Sequence, residues 1–589
     1  MSLKVIQLRT KPYWFSLVTI SLLAIQVGVA RPATYYDYKS LRKRLVSLAR
    51  QEPNLVRVDS IARSIDKRKV WVVEVGKGTE GDRKTRPAVL VAAGIEGNDL
   101  IGCSIAVSWL ERLIKQYQTD AQITELLETT TIYVIPRLNP DAAEHFFTRP
   151  KLETSLNNKP VDDDHDGLVD EDGPEDLNGD GLITWMRVED KDGNYLLDPV
   201  DKRLLLKADH LKGEVGAWRY LTEGIDNDHD EVWNEDGRGG VNFNRNFPYN
   251  YKFFAPDAGI HQVSEAQTRG LAEFIIEHPN IGIVITYGAA DNLLKTPAGA
   301  PAPGRRKPMT EIDKEDLGYY RVMGELYREA IGLSKELEGT SEPGTFSDWM
   351  YFHRGRLSLA SRPWSPAIAV ELSKSAEKDE NAKQEKAEDN EANNEGADSK
   401  KDKDKRNEKE RRELKWFDKH APEAFIQWQP IDHPDFPGQR VEVGGYAPFS
   451  LTNPPVGMLE EIVGKHTDFL TTVAQRLGRI GIRKIKTQHL GQAIYDIEIQ
   501  VENTGFLPTS LAQGQTTREI YPTRLVLELD DEFFLSGARI TTLPTISGSG
   551  GMVETRYIIY APGRKKIDFT IVSMLAGQVE GTIDLVKSK

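Results

Sequence analysis

The sequence predicts an α/β domain followed by an antiparallel β-sandwich. Short apolar runs rich in Val and Ile alternate with helical periods from Thr34 to about Glu371. Beyond Ile480 the texture changes to alternating or β-branched stretches separated by Gly and Pro. The chain has 589 residues, a length that suggests more than one domain, and its 39% hydrophobic content is enough for a core.

Residues 1–30 carry Lys4, Arg9 and Lys11 and no acid, then a mostly apolar stretch from Tyr13 to Ala30 that ends Gly28-Val29-Ala30. This is the layout of a secretory signal peptide. An uncleaved anchor is the alternative, because the run nears the roughly 18 residues that begin to span a bilayer. Ser16, Thr19 and Gln26 weigh against it. No later stretch is long and apolar enough to span, so the expectation is a secreted or periplasmic protein without a membrane anchor after cleavage.

The first domain is expected over residues 31–478. Val70–Val75, Ala88–Gly94, Thr130–Pro136, Ile281–Tyr287 and Ala367–Leu372 read as strands covered on both faces. Tyr38–Arg50 and Leu100–Lys115 read as helices, the second with Ile101, Ile105, Trp109 and Leu113 at helical spacing. Cys103, the one cysteine, falls in that helix as a small apolar residue, and its being alone excludes both an intramolecular disulfide and a cysteine-based zinc cluster. Gly457–Leu477 is an amphipathic helix that closes the domain. Residues 374–413 hold 26 charged side chains and nothing apolar larger than Ala, which predicts a disordered insertion. Ala493–Asn503, Thr523–Leu529, Thr555–Ala561 and Lys566–Val572 then read as strands of the sandwich, residues 479–589.

A second insertion spans 162–236. It contains three runs of alternating oxygen side chains: Asp162, Asp164 and Asp166; Asp176, Asn178 and Asp180; Asp226, Asp228 and Asp230. The middle run has Gly181 at position 6 and Ile183 at position 8, as in a calcium loop, but Arg187 where a helix-loop-helix sensor has its bidentate Glu. Structural Ca²⁺ binding is therefore expected, against the alternative of a solvated acidic loop. The formal net charge is −14, and segment 162–236 alone carries 24 acids against seven bases. Without it and the signal peptide the chain is formally neutral, so the acidity is local. Nothing in this balance offers a basic surface for nucleic acid or an anionic membrane.

Four fragments follow one another in an informative order: Gly94-Ile95-Glu96-Gly97-Asn98-Asp99, Asn139-Pro140-Asp141, Asn242-Phe243-Asn244-Arg245-Asn246-Phe247, and Gly344…Asp348-Trp349-Met350-Tyr351 before Ala369-Val370-Glu371. Together with Tyr36-Asp37-Tyr38 and the Ser64-Ile65-Asp66…Val70-Trp71-Val72 hairpin, this set resembles the zinc carboxypeptidase family, the carboxypeptidase A-like metallopeptidases, over residues 34–478. The resemblance implies a mixed central sheet flanked by helices. It also implies a Zn²⁺ held by a His-x-x-Glu pair and a later His, a Glu as general base on a strand near the end, and an Asn-Arg pair that clamps the substrate's terminal carboxylate.

Carried onto this sequence, the zinc-ligand positions fall on Glu96, Asp99 and Tyr287, the clamp on Asn244 and Arg245, and the base on Glu371. A substrate-capping Tyr would fall at Thr340, and an oxyanion-stabilising Arg at Arg149 unless the register points to Ser155. Zinc prefers imidazole and thiolate, and an all-oxygen set suits harder ions. The site therefore reads as degenerate for zinc, with either a proton or a hard cation relieving the crowded carboxylates. Glu96 and Asp99 as solvated loop residues, Arg245 paired with local acids, and Glu371 as a hydrogen-bonded structural residue remain open alternatives. His165, His229 and His353 read as loop histidines. The leading functional reading is a non-catalytic relative whose cleft recognises peptide or protein C-termini. Its rivals are an active metallocarboxypeptidase with an atypical metal site and a structural surface protein with a vestigial cleft.

Overall fold

The computed structural model describes residues 33–162, 167–234, 239–301, 309–385 and 407–585. The expected signal peptide lies outside these residues, as do Asp164, His165 and Asp166.

The apolar runs form a six-stranded mixed sheet in the order Val56–Arg63, Lys69–Val75, Thr131–Ile135, Ala88–Ala92, Ile281–Tyr287, Leu357–Ser361. The first three strands pair antiparallel and the last four are parallel. The strand period of two sorts its side chains into two cores. Val89 and Val91 pack with the helices Tyr38–Gln51, Leu100–Gln116, Leu317–Ile331 and Leu459–Ala474, while Ala88, Leu90 and Ala92 pack with Ala266–Glu277. In the helix Leu100–Gln116, Ile101, Ile105, Trp109 and Leu113 are all buried, as their spacing predicts, and Cys103 is buried beside them.

One predicted strand is a helix. Ala367–Leu372 belongs to the helix Pro366–Glu385, and the last strand of the sheet is Leu357–Ser361. The Ser365 hydroxyl accepts the Ile368 N–H at 3.3 Å and Pro366 occupies the first helical position, a start signal that outweighs the apolar run. The charged tract is also partly ordered. Residues 374–385 continue this helix, and Glu408–His420 forms another, anchored by buried Leu414, Trp416 and Phe417. Ala, Glu and Lys are strong helix formers, and i,i+4 pairs such as Arg412–Glu408 add support.

The acidic insertion builds a second, antiparallel sheet with a later segment, in the order 425–431, 441–446, 185–189, 218–222, 195–197, 205–207. C-terminal to the last large helix stand two four-stranded antiparallel sheets. Ile480, Ile497, Ile499, Leu525, Ile559, Phe569 and Ile571 form a single buried core with strands of both, as a β-sandwich requires. The strand Ile494–Asn503 alternates half-buried and buried along its full length. Among the described residues no helix is long and apolar enough to cross a membrane.

The sandwich region is tied to the α/β region through one carboxylate. The short helix Ala512–Thr517 has no side-chain cap of its own. Buried Asp316 accepts the N–H groups of Ala512 at 2.8 Å and Gln513 at 3.0 Å, and the Tyr351 hydroxyl at 3.0 Å. Asp316→Ala leaves three donors without an acceptor, at about 1 kcal/mol each. A loss of about 3 kcal/mol in denaturant unfolding is expected, and a loss below 1 kcal/mol would show that the carboxylate does not hold this junction.

Candidate functional site

A cleft of about 240 Å³ opens where the parallel strands end, lined by Glu96, Asp99, Ser155, Asn242, Asn244, Arg245, Gly288, Glu342 and Arg362 among others. Ligand sites of open α/β sheets form at this carboxyl edge, because each strand delivers a loop there. Glu96 comes from the turn after Ala88–Ala92, Gly288 directly follows Ile281–Tyr287, and Arg362 directly follows Leu357–Ser361.

The turn that delivers Glu96 starts at Gly94, with φ +57°, where a Cβ would lie 3.2 Å from the Arg137 backbone. Glu96 is only 3% exposed. The Asn244 side-chain amide donates to its Oε1 at 2.7 Å, while Oε2 is buried without a hydrogen bond. Burial pushes the Glu96 carboxyl up to about 7; the Asn244 amide opposes the shift and the charge of Asp99 adds to it. Asp99 caps the helix Leu100–Gln116, accepting the N–H groups of Gly102 at 3.2 Å and Gly94 at 3.3 Å. Burial lifts its carboxyl to about 6, against those two N–H groups and the fields of Arg362 and Arg137.

Asn244 and Arg245 sit in a single 3-10 turn, Phe243–Arg245, capped by the Asn242 side chain. Asn244 spans the cleft floor, donating to Glu96 and accepting the Phe346 N–H at 3.1 Å. Arg245 is 36% exposed and forks between Asp257 at 2.9 Å and Glu342 at 3.1 Å, the pairing with local acids that stood as the alternative to carboxylate recognition. Gly344, with φ +82°, lets the chain pass the Arg245 backbone, where a Cβ would stand 2.5 Å from its carbonyl oxygen.

Not all of the expected residues meet here. Tyr287 is fully buried in the helix-packed core, its hydroxyl 3.4 Å from His466 Nδ1, and it is not among the cleft-lining residues. Gly288 occupies the cleft instead, and a Cβ on it would lie 2.3 Å from Glu96 Oε2. Glu371 is on the helix Pro366–Glu385, with Lys335 at 3.0 Å and Lys374 at 3.5 Å, and does not line the cleft. These two ammonium groups hold its carboxyl below the usual range despite the opposing effect of its burial. Its placement on a cleft strand is thus corrected by the Ser-Pro helix start.

Ser155 lines the cleft, whereas Arg149 lies at the middle acidic loop, 3.5 Å from the Asp180 carbonyl. Thr340 donates its hydroxyl to the Ala289 carbonyl and lines a neighbouring cavity with His353. Sequence reasoning missed Arg362, Gly288 and Glu342. The first two follow strands directly, so finding them depends on placing strand ends to the residue.

Away from the cleft, Asp226, Asp228 and Asp230 bring carboxylate oxygens within 4.8 Å of one another. Asp226 accepts the N–H groups of His229, Asp230 and Glu231, and Asp230 accepts that of Val232. The middle run repeats the pattern: Asp176 accepts from Asp180 and Gly181, Asn178 from Asp180, and Asp180 from Leu182. Asp162, the first residue of the first run, is described, but Asp164 and Asp166 are not.

Residues 41–172 match the zinc carboxypeptidase family model, and residues 479–584 match a domain of unknown function, DUF8731. The chain is 29% identical over 123 residues to carboxypeptidase D of Anas platyrhynchos, covering 21% of this chain and 9% of that protein. It is 27% identical over 122 residues to carboxypeptidase M of Mus musculus, covering 21% and 28%. The similarity therefore spans less than a third of either relative's length. Among solved structures, carboxypeptidase A from Helicoverpa armigera aligns over 56% of this chain and 64% of that one, with 14% identity and a TM-score of 0.35. The matched segment contains Glu96, Asp99 and the Asn139-Pro140-Asp141 turn within the mixed sheet, and over that segment the chain is similar to the zinc carboxypeptidase family.

Proposed function

We propose that this secreted or periplasmic chain is a non-catalytic zinc carboxypeptidase relative that keeps a cleft for the C-terminal carboxylate of peptides or proteins. The observation that carries this reading is Gly288. The family implies zinc, and a catalytic zinc takes three protein ligands and keeps an open position. Here Glu96 and Asp99 offer only oxygens, the two Asp99 oxygens cap backbone N–H groups, and the space beside Glu96 is bordered by a residue with no side chain. This donor set does not fit zinc. Arg362 rather than an acid follows the last strand into the cleft, which leaves that edge without a general base.

The carboxylate clamp is supported by what already rests on it. Glu342 places a carboxylate on the Arg245 guanidinium, and this acid is itself 55% exposed, so a ligand carboxylate can displace it. The expected test uses the purified protein. Free-acid peptides should bind at least about tenfold tighter than their C-terminal amides, and Arg245→Gln should erase that difference. Stoichiometric zinc with chelator-sensitive release of the C-terminal residue would instead establish an active carboxypeptidase.

The clustered oxygens of Asp226, Asp228 and Asp230 favour a second element of the reading, a Ca²⁺-stabilised insertion. The like pattern at Asp176, Asn178 and Asp180 extends it to a second loop, and Asp162, Asp164 and Asp166 to a third by sequence.

A further inference from the structure

The cleft holds one guanidinium that the carboxylate clamp does not use. Arg362 projects from a fixed turn: its N–H is held at 2.9 Å by Asp291, whose carboxylate also accepts the N–H groups of Leu293 and Leu294. The side chain is half-buried and lines the cleft together with Glu96, Asp99 and Arg245. Among the described residues it has no ion pair and no side-chain hydrogen bond.

The other charges of the cleft are accounted for. Arg245 is shared by Asp257 and Glu342. Asp99 is held by two backbone N–H groups and the start of its helix. Glu96 is buried, hydrogen-bonded to Asn244, and pushed towards its neutral form. Arg362 feels the carboxylates of Asp99, Asp291 and Glu413 only as charges beyond hydrogen-bonding reach of its guanidinium. A half-buried guanidinium without a hydrogen-bonded acid is expensive to leave unpaired, and its planar fork matches a carboxylate. At about 240 Å³ the cleft is smaller than the roughly 300 Å³ at which drug-sized ligand sites begin, which suits one terminal residue rather than a long segment.

We propose that Arg362 receives a second carboxylate of the ligand, so that the cleft selects peptides whose last residue is Asp or Glu. This rests on the carboxylate-binding reading above, with Arg245 taking the α-carboxylate and Arg362 the side chain.

The test compares labelled pentapeptides that differ only in ending with Glu, Gln or Glu-amide, measured by fluorescence anisotropy. The Glu peptide should bind about tenfold tighter than the Gln peptide. Arg362→Gln should remove that discrimination, and Arg362→Lys should keep part of it, with the charge but not the fork. If Glu and Gln peptides bind alike while amidation still weakens binding, the assignment of Arg362 is wrong and the carboxylate cleft stands. If Arg362→Gln lowers thermal stability yet keeps the preference for Glu, Arg362 is a counter-charge for Asp99 and the assignment is again wrong. If neither free-acid peptide binds, the carboxylate reading itself falls.

Discussion

Glu96→Gln is expected to stabilise the protein at pH 8 by about 2 kcal/mol and to leave it no more stable at pH 4. The Glu96 carboxyl has an ordinary value of 4.5 and is pushed up to about 7 in the native state, chiefly by burial. Between those values the native state binds more protons than the unfolded chain, so stability falls as pH rises. The contribution is fully present below pH 4.5 and is lost as pH climbs through 7. A shift of this size corresponds to about 3 kcal/mol. Gln carries no charge to bury, but its amide N–H would occupy the place of Oε2, which has no partner, at a cost of about 1 kcal/mol. Asp99, lifted to about 6, adds a slope of the same sign that both proteins share. The measurement is denaturant unfolding of both proteins from pH 4 to 8, read as the difference between them. If the wild type were the more stable partner at pH 8, Glu96 would be ionised and held by a cation, and the metal-free reading of the cleft would fail.

The course of the main sheet was legible because its strands are buried on both faces and read as apolar runs, as at Ala88–Ala92 and Ile281–Tyr287. The order of the Glu96, Asn244 and Arg245 fragments also indicated their convergence, since all three line one cleft. What the sequence did not reveal is governed by single-residue geometry. In a strand, a shift of one residue turns a side chain to the opposite face. Tyr287 accordingly enters the core with Ile283 and Ile285, and its neighbour Gly288 reaches Glu96. The last strand was hidden for a related reason. Leu357–Ser361 is wholly buried but carries Ser358 and Ser361, whereas the more apolar Ala367–Leu372 follows a Ser-Pro helix start. Read as the strand, the latter run would carry Glu371 to the cleft, whereas the true strand carries Arg362 there. Arg362 follows that strand into the cleft, and its positive charge adds to Gly288 and the oxygen-only Glu96 and Asp99 in setting this site apart from the arrangement the family resemblance implied.

Chelation with EGTA is expected to destabilise the protein by about 3 kcal/mol for each Ca²⁺ site that is saturated at a hundredfold excess over its Kd. The oxygens of Asp226, Asp228 and Asp230 already lie within 4.8 Å of one another, and backbone N–H groups of the same loop fix their carboxylates. Bringing three carboxylates together costs repulsion that a divalent cation reverses. The loop is also tied to distant chain: Asp226 N–H and Trp233 Nε1 both donate to Asp435, and buried Asp172 accepts the N–H groups of Asn227 and Asn234. The chain that leaves this loop carries Asn242, Asn244 and Arg245 into the cleft wall. Loss of the cation should therefore open the 223–234 segment to proteolysis and weaken peptide binding together. Magnesium at the same concentration should restore little, because a compact octahedral ion gives up its waters reluctantly. Asp228→Asn should reproduce part of the EGTA effect in calcium, since it removes one charge while retaining an oxygen. Identical unfolding curves and proteolysis patterns in calcium and EGTA would sink the calcium reading. Asp228 and Asp230 would then be solvated loop acids, and Asp435 and buried Asp172 would hold the cleft wall without a metal.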